Sequence, residues 1–430
     1  MTENGGQEFG RRTFLQGAVS LGVSILRPKL VFGTEANSAI RLGVLGCGGR
    51  AMQVVPGFIK NTGTRIVALG DLFEDRIPPF KNSIDALQRD NGHSAIESSQ
   101  LFKGPHAFRE IASRKEIDAV LITTPPYYHP EHLEAMVDAG KHVYVEKPVA
   151  TDVYGAKRVM RIGQKAAGAL SLDVGFQIRN ASAYVEMVRR IHSGALGEII
   201  CGHAHSCFPA LNVPPRPYRS PEELRIRTWF YDRVLSGDIL VEQNIHALDI
   251  CNWILQSHPT KASGVGGRKT PTHPGENNLD HFNVIYTYPG EKHLTFSTTK
   301  FDRGWWDVSE RFFGTKGVSE SHYVGGMRIF GDEPWDTGFG EQGEERHDTL
   351  TDLYADALKD AESEKQKAFV QSILTGHFHN QAAAGAESTL SAILGRTAVY
   401  ENREVSWDDL IRSDHKWEAG IDLDKLTGTA

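Results

Sequence analysis

The chain has 430 residues, enough for two medium domains with a core each, and its 40% hydrophobic and 23% charged content is ordinary for a globular protein. A net charge of −7 without a basic run argues against a nucleic-acid or anionic-membrane surface. The four cysteines, Cys47, Cys201, Cys207 and Cys251, show no close spacing, which argues against a disulfide framework or a zinc ribbon.

Residues 1–36 read as an address and not as part of the fold. Gly10-Arg11-Arg12-Thr13-Phe14-Leu15-Gln16 sets a twin arginine ahead of a mildly apolar run, Gly17 to Leu26, in the pattern of a bacterial twin-arginine export signal. The run is too short for a stable membrane span. Cleavage is expected near Ala36, and the mature protein is expected in the periplasm with no membrane anchor.

Ile40 to Leu45 is an apolar strand, and the turn Gly46-Cys47-Gly48-Gly49-Arg50-Ala51 opens a helix to about Asn61. Gly46-x-Gly48-x-x-Ala51 fits the dinucleotide fingerprint: a tight turn, a close approach of backbone to pyrophosphate, then a small residue for helix–strand packing. The strand Arg65 to Gly70 ends in Asp71, twenty residues beyond Ala51, where a carboxylate can accept from ribose hydroxyls. Leu72 and Phe73 follow, with no adjacent cation for a 2′-phosphate, which favours NAD over NADP; Arg76 stands five residues on.

The strand Ala119 to Ile122 runs into Thr123-Thr124-Pro125-Pro126, then a helix from Pro130 to Ala139. A second strand, His142 to Val145, delivers Glu146-Lys147-Pro148 at its carboxyl end, where open parallel sheets bind ligands. An ammonium there could hold a substrate oxygen as negative charge develops on it; the plain alternative is a surface ion pair before a proline. Helix Thr151 to Ala167 and strand Ser171 to Gln177 complete six strand–helix alternations, a doubly wound parallel sheet over residues 37–178.

The pattern changes over residues 179–410. A helix (Tyr184 to Ser193) precedes a long strand from Gly197 to about Ser206, and Asn212 to Pro221 is a proline-rich loop. Asp238 to Leu255 has helical spacing. The runs His281 to Tyr288, Lys292 to Thr299 and Val308 to Phe313 alternate as antiparallel strands with one covered face. Gly331 to Glu345 reads as an acidic surface loop. Helices Lys365 to Leu374 and Ala383 to Tyr400 are expected to pack back on the first domain, leaving 411–430 as a tail.

Within the helical stretch, Glu242 and His246 are four apart and share a face on one helix. A histidine near neutral pKa can take the proton of a secondary alcohol while hydride leaves the carbon, with Glu242 to orient it. Spacing alone favours a satisfied helix histidine beside an exposed glutamate. Trp229, in Arg227-Thr228-Trp229-Phe230-Tyr231, could stack on a sugar ring or pack in the core. Arg179, in Gly175-Phe176-Gln177-Ile178-Arg179-Asn180, could approach cofactor or substrate. His203, His205 and Cys207 share a strand face, read as crevice or interface polar residues and not as a metal site.

The glycine turn with Asp71, Thr124-Pro125 through His129, Ala139-Gly140-Lys141-His142-Val143 to Glu146-Lys147-Pro148, the pair Glu242/His246 and Ala392-Ile393-Leu394-Gly395-Arg396 carry a resemblance. They resemble the glucose–fructose oxidoreductase, inositol dehydrogenase and rhizopine-catabolism superfamily (Gfo/Idh/MocA) over residues 40 to about 410. The resemblance implies an N-terminal Rossmann domain and a C-terminal α/β domain whose large open, mostly antiparallel sheet mediates a homodimer or homotetramer. It makes Lys147 catalytic and His246 the acid/base. Cofactor contacts are expected from Gly46, Gly48, Gly49, Arg50, Ala51, Asp71 and Arg76, and from Thr124, Pro125, His129, Glu146, Lys147 and Gln177. Substrate contacts are expected from Lys147, Arg179, Trp229, Glu242 and His246. The chain departs from the family pattern at Glu242, commonly aspartate, and at Pro126, commonly asparagine. The expected substrate is a sugar or polyol. An NAD-dependent glycosidase working by transient oxidation and a non-catalytic sugar sensor are the alternatives. Export implies a retained NAD, because a dissociable one would be lost outside the cytoplasm.

Overall fold

The computed structural model describes residues 39–209, 218–270, 273, 275–302, 307–323, 326–337 and 358–426. The export-signal reading, most of the proline-rich loop and the latter part of the acidic loop lie outside them. Ile40 onward forms one unit.

Its first half is a six-stranded parallel sheet of β1 (Arg41–Leu45), β2 (Arg65–Asp71), β3 (Leu101–Lys103), β4 (Ala119–Ile122), β5 (His142–Val145) and β6 (Leu172–Val174). The order β3-β2-β1-β4-β5-β6 is the doubly wound one expected. Helices cover both faces, so β4 is buried at every residue and reads as an unbroken apolar run. The order reverses between β1 and β4, and the crevice at their carboxyl ends is where loops of both halves of the sheet converge. β6 is shorter than its apolar run: the chain turns at Gly175, where a Cβ would sit 2.6 Å from an oxygen of Glu146. Gln177 therefore begins a short helical turn, Gln177–Asn180, instead of ending the strand.

The second sheet has nine strands: β7 (Ile199–Pro209), β8 (Lys261–Gly267), β9 (His281–Tyr288), β10 (Lys292–Asp302), β11 (Asp307–Gly314), β12 (Gly317–His322), β13 (Gly326–Gly331), β14 (Trp335–Asp336) and β15 (Val405–Ser406). Only β7 and β10 pair in parallel. The apolar runs located β7, β9, β10 and β11 but not β8 or β12 to β15. β8 reads Lys-Ala-Ser-Gly-Val-Gly-Gly, poor in strand formers, and β12 turns Gly317, Ser319 and Ser321 to the covered side, so its inward positions are not hydrophobic.

The closing helices, Ala361–Thr375 and Ala382–Glu401, do pack on the first half. Gln366 donates to the Val54 carbonyl at 3.0 Å, and Lys365 reaches Asp173 of β6 at 2.9 Å with both side chains almost wholly buried. Burial would raise the Asp173 carboxyl, but Lys365 and His379 outweigh it and hold it below its usual range. Replacing one member of a buried pair leaves a desolvated charge, which costs about 3–5 kcal/mol. Lys365→Met is expected to lose that much in urea unfolding, and the double variant Lys365→Met/Asp173→Leu to recover most of it. A single variant as stable as the parent would contradict the assignment.

Candidate dinucleotide and substrate site

The fingerprint turn is built as its spacing requires. Gly46 has φ +98°, and a Cβ there would meet the Thr123 backbone at 2.9 Å. Gly48 precedes helix Gly49–Thr62 without a side-chain cap, and a Cβ on Gly49 would meet nothing within 4 Å. The helix start is thus uncapped and unobstructed at Gly49, which leaves room for a phosphate to approach its first N–H groups. Ala51 is fully buried against the sheet.

Asp71 accepts from the N–H of Cys47 at 2.7 Å and of Phe73 at 2.8 Å, which pins its carboxylate over the turn. Burial pushes this carboxyl up, while the two N–H donors and Arg76 pull it back. Each carboxylate oxygen keeps accepting capacity for a ribose hydroxyl. The Arg76 guanidinium lies 3.7 Å from an ideal Cβ at Gly48, beside the phosphate cradle. Gly46, Gly48, Gly49, Arg50, Asp71, Arg76, Thr124 and Pro125 all line one cavity of about 240 Å³. Lys147, Glu242 and His246 do not line it, and its place at the fingerprint turn suits the adenosine–pyrophosphate half of a dinucleotide.

The other half lies past Glu146. This buried carboxylate meets Arg50 Nε at 2.9 Å, and Arg50 also meets Glu362 at 2.5 Å, tying helix Gly49–Thr62 to helix Ala361–Thr375. Burial raises the Glu146 carboxyl against the pull of Arg50. Lys147, whose peptide to Pro148 is cis, donates to the Glu242 carbonyl at 2.6 Å and to its carboxylate at 3.2 Å. The segment carrying Glu242 is set by Asp238, a non-glycine residue at φ +70°. Its carboxylate accepts from Ile239 N–H at 2.6 Å, from Leu279 N–H at 3.0 Å and from the Tyr400 hydroxyl.

One expectation changes here. Glu242 and His246 do not ride one helix. Helix Ile239–Glu242 ends, and Asn244 turns inward to donate to Ser206 of β7 at 2.9 Å before helix Ile245–Leu255 begins. Glu242 is thereby aimed at Lys147, and it does not orient His246, whose buried Nδ1 has no partner. The His246 ring packs edge-on to Phe176 at 6.0 Å. Its pKa falls well below the ordinary value, through burial first and then through the nearby cations Lys147 and Arg50. The imidazole is neutral and within the field of both.

Three further expectations are corrected. His129 is 1% exposed with one ring nitrogen 2.7 Å from the Thr124 carbonyl and the other 2.8 Å from that of Pro148; the neutral ring donates to one of them and is wedged between the two turns, with no face left for a cofactor. Burial pushes its pKa down to about 4 against those carbonyls. Arg179 is spent on a two-pronged pair with Asp249, at 2.7 and 2.8 Å, and lies over Trp253. Trp229 lines the adenosine cavity beside Asp71, away from Lys147. Gln177 is 2% exposed and does not line the cavity; its buried Oε1 has no partner. The glycine turn Gly46 to Gly49, with the Arg76 guanidinium beside it, fits the pyrophosphate of a dinucleotide. Sequence reading missed Glu362, which arrives from a distant helix, and passed over Tyr128 and His132, which follow Thr124-Pro125 closely and line the cavity.

Family models match the chain in two consecutive stretches, an "oxidoreductase family, NAD-binding Rossmann fold" over residues 40–174 and a "GFO/IDH/MocA C-terminal domain" over 184–320. The chain belongs to the Gfo/Idh/MocA oxidoreductase family. An inositol 2-dehydrogenase of Saccharopolyspora erythraea is 26% identical over 232 residues, which is 54% of this chain and 58% of that protein. A glycosyl hydrolase family 109 protein of Solibacter usitatus is 31% identical over 119 residues, 28% of this chain and 26% of that one. These matches span only part of the curated relatives' length. Scyllo-inositol dehydrogenase from Lactobacillus casei, solved with NAD(H) and scyllo-inositol, shares the fold at TM-score 0.63 and 20% identity, over 86% of this chain and 99% of that one.

If Lys147 helps to keep His246 neutral, removing its charge must raise the histidine's pKa, since a cation disfavours imidazolium. In Lys147→Met the midpoint read from the imidazole C–H resonance is expected to move up towards the ordinary histidine range. A midpoint that stays where it is would separate the two groups.

Proposed function

We propose that this chain is an NAD-dependent oxidoreductase that takes hydride from a secondary alcohol of a sugar, glycoside or polyol. The observation that carries the reading is the contact of Lys147 with Glu242 past the phosphate cradle, with His246 close enough for the Lys147 charge to help lower its pKa. A nicotinamide bound there supplies the hydride acceptor.

Lys147 has three N–H donors, two of them engaged by Glu242, which leaves one for the substrate oxygen. That contact strengthens as the oxygen gains negative charge. His246, whose pKa burial and the nearby cations push down, receives the hydroxyl proton. Glu242 aims the ammonium through both its carbonyl and its carboxylate. Asp71, between two backbone N–H groups and followed by Leu72 and Phe73, favours NAD over NADP.

A second reading is an NAD-dependent glycosidase, in which transient oxidation permits elimination of the aglycone. The likeness of part of the chain to the family 109 protein favours it. Lys147→Ala and His246→Ala are each expected to lower hydride transfer to NAD by about 10²–10⁴-fold across a panel of polyols and aldoses. Parental rates in both would sink the proposal. Release of free sugar from a glycoside without net NADH would favour the second reading.

The twin arginine at Arg11-Arg12 supports export to the periplasm, with the cofactor loaded first and retained; fractionation of expressing bacteria would place the protein. The open face of the nine-stranded sheet exposes Val265 (64%), Ile285 (48%) and Phe330 (44%), which supports a homodimer or homotetramer formed through it. Ile285→Asp is expected to lower the sedimentation mass, and an unchanged mass would remove that face from the interface.

A further inference from the structure

The outer wall of the adenosine cavity does not come from the Rossmann half. Beyond Gly46 and Asp71 it is closed by Ile226, Arg227, Trp229 and Leu423. The first three belong to the segment that follows β7, in helix Pro221–Arg227 and the turn Trp229–Tyr231. Leu423 opens a helical turn, Leu423–Leu426, in the stretch expected to be a tail. That stretch is a strap.

Its course is tied at several points. Trp417 N–H donates to Asp152 at 2.7 Å, Ala419 N–H to the Tyr127 hydroxyl at 3.2 Å, and the Ala419 carbonyl accepts from Arg225 at 2.8 Å. His106 Nε2 then meets Asp424 at 3.3 Å, on the loop after β3. Arg227 closes from the other side, with both arms on Asp75 at 2.6 and 3.0 Å and its guanidinium 3.8 Å from the centre of the Phe73 ring. Under the strap, Ile421 and Leu423 pack in one apolar cluster with Ile226, Phe73, Tyr128 and Trp229.

The inner side of this wall is aromatic. The His132 ring stacks on Tyr128 at 6.0 Å and 20°, and lies 4.8 Å from Phe108; these three rings and Trp229 line the same cavity. Burial holds His132 neutral, at a pKa of about 3. Such walls suit a flat purine base, which stacks on aromatic faces.

We propose that Trp229 and Leu423 form a clasp over the adenine of a bound adenine dinucleotide, and that opening this clasp sets how fast the dinucleotide leaves. The proposal rests on the reading above that the cleft holds NAD. Asp75 is 63% exposed, so its pair with Arg227 is worth little in water. The apolar closure does the holding.

The test is exchange of bound NAD for isotope-labelled NAD in desalted full-length protein, followed by native mass spectrometry. Trp229→Ala and Leu423→Asp are expected to speed exchange by about ten-fold or more. Asp75→Ala should change it by less than about five-fold. Circular dichroism melts of each variant separate a lost clasp from a lost fold, and either of the two wall variants, correctly folded, is sufficient. Exchange at the parental rate in folded wall variants overturns the clasp and leaves the NAD reading intact. A parent protein that takes up no dinucleotide even at saturating NAD overturns that reading, and the clasp with it.

Discussion

The contact between the Lys147 ammonium and Glu242 joins the two halves of the molecule at the point where the chemistry is proposed. One partner ends β5 of the parallel sheet, and the other ends a one-turn helix carried by the second half. Both side chains are largely shielded from water, at 14% and 12% exposure, so neither can drift without leaving a poorly solvated charge unpaired. The backbone carbonyl adds a second, shorter bond that fixes where the ammonium points. Everything on the substrate side is measured from that nitrogen.

Around it the charges are arranged in layers. Arg50 stands between Glu146 and Glu362, so the start of the dinucleotide helix, the Glu-Lys-Pro turn and a C-terminal helix share one guanidinium. Arg50 and Lys147 together disfavour a proton on His246. In the proposed reaction a neutral imidazole is the form that accepts the hydroxyl proton, with the oxygen held by Lys147. His129 and Asp238 work one step away: one clamps the Thr124 and Pro148 carbonyls, the other caps the helix that presents Glu242.

The second half of the chain contributes on both sides of the crevice. It places Glu242 and His246 at the reacting end and lays Trp229, Arg227 and the C-terminal strap over the adenosine end. Its sheet meanwhile presents an outer face on which Val265, Ile285 and Phe330 stand exposed among polar residues such as His203, Arg311 and Glu320. A single polypeptide segment between β7 and β8 therefore serves both the reacting end and the cofactor wall.

Local signals were enough for five strands of the parallel sheet, though not for the short edge strand β3, and for the Gly46–Ala51 turn with Asp71 and the delivery of Lys147 at a strand end. Each depends on neighbours in sequence: buried strands read as apolar runs, and a positive φ or a close approach demands glycine. Strands β8 and β12 escaped because their inward positions are glycine, alanine and serine, small enough to pack without a hydrophobic signature. Helical spacing put Glu242 and His246 on one face, but Asn244 found a better partner in Ser206 of a distant strand and broke the helix between them. Trp229 and Arg179 carried the right chemistry for a sugar site, and only long-range packing sent one to the adenosine wall and the other to Asp249. Sequence by itself determined which groups could do the chemistry; tertiary structure decided which of them face the cleft, because a side chain's direction is set by partners far along the chain.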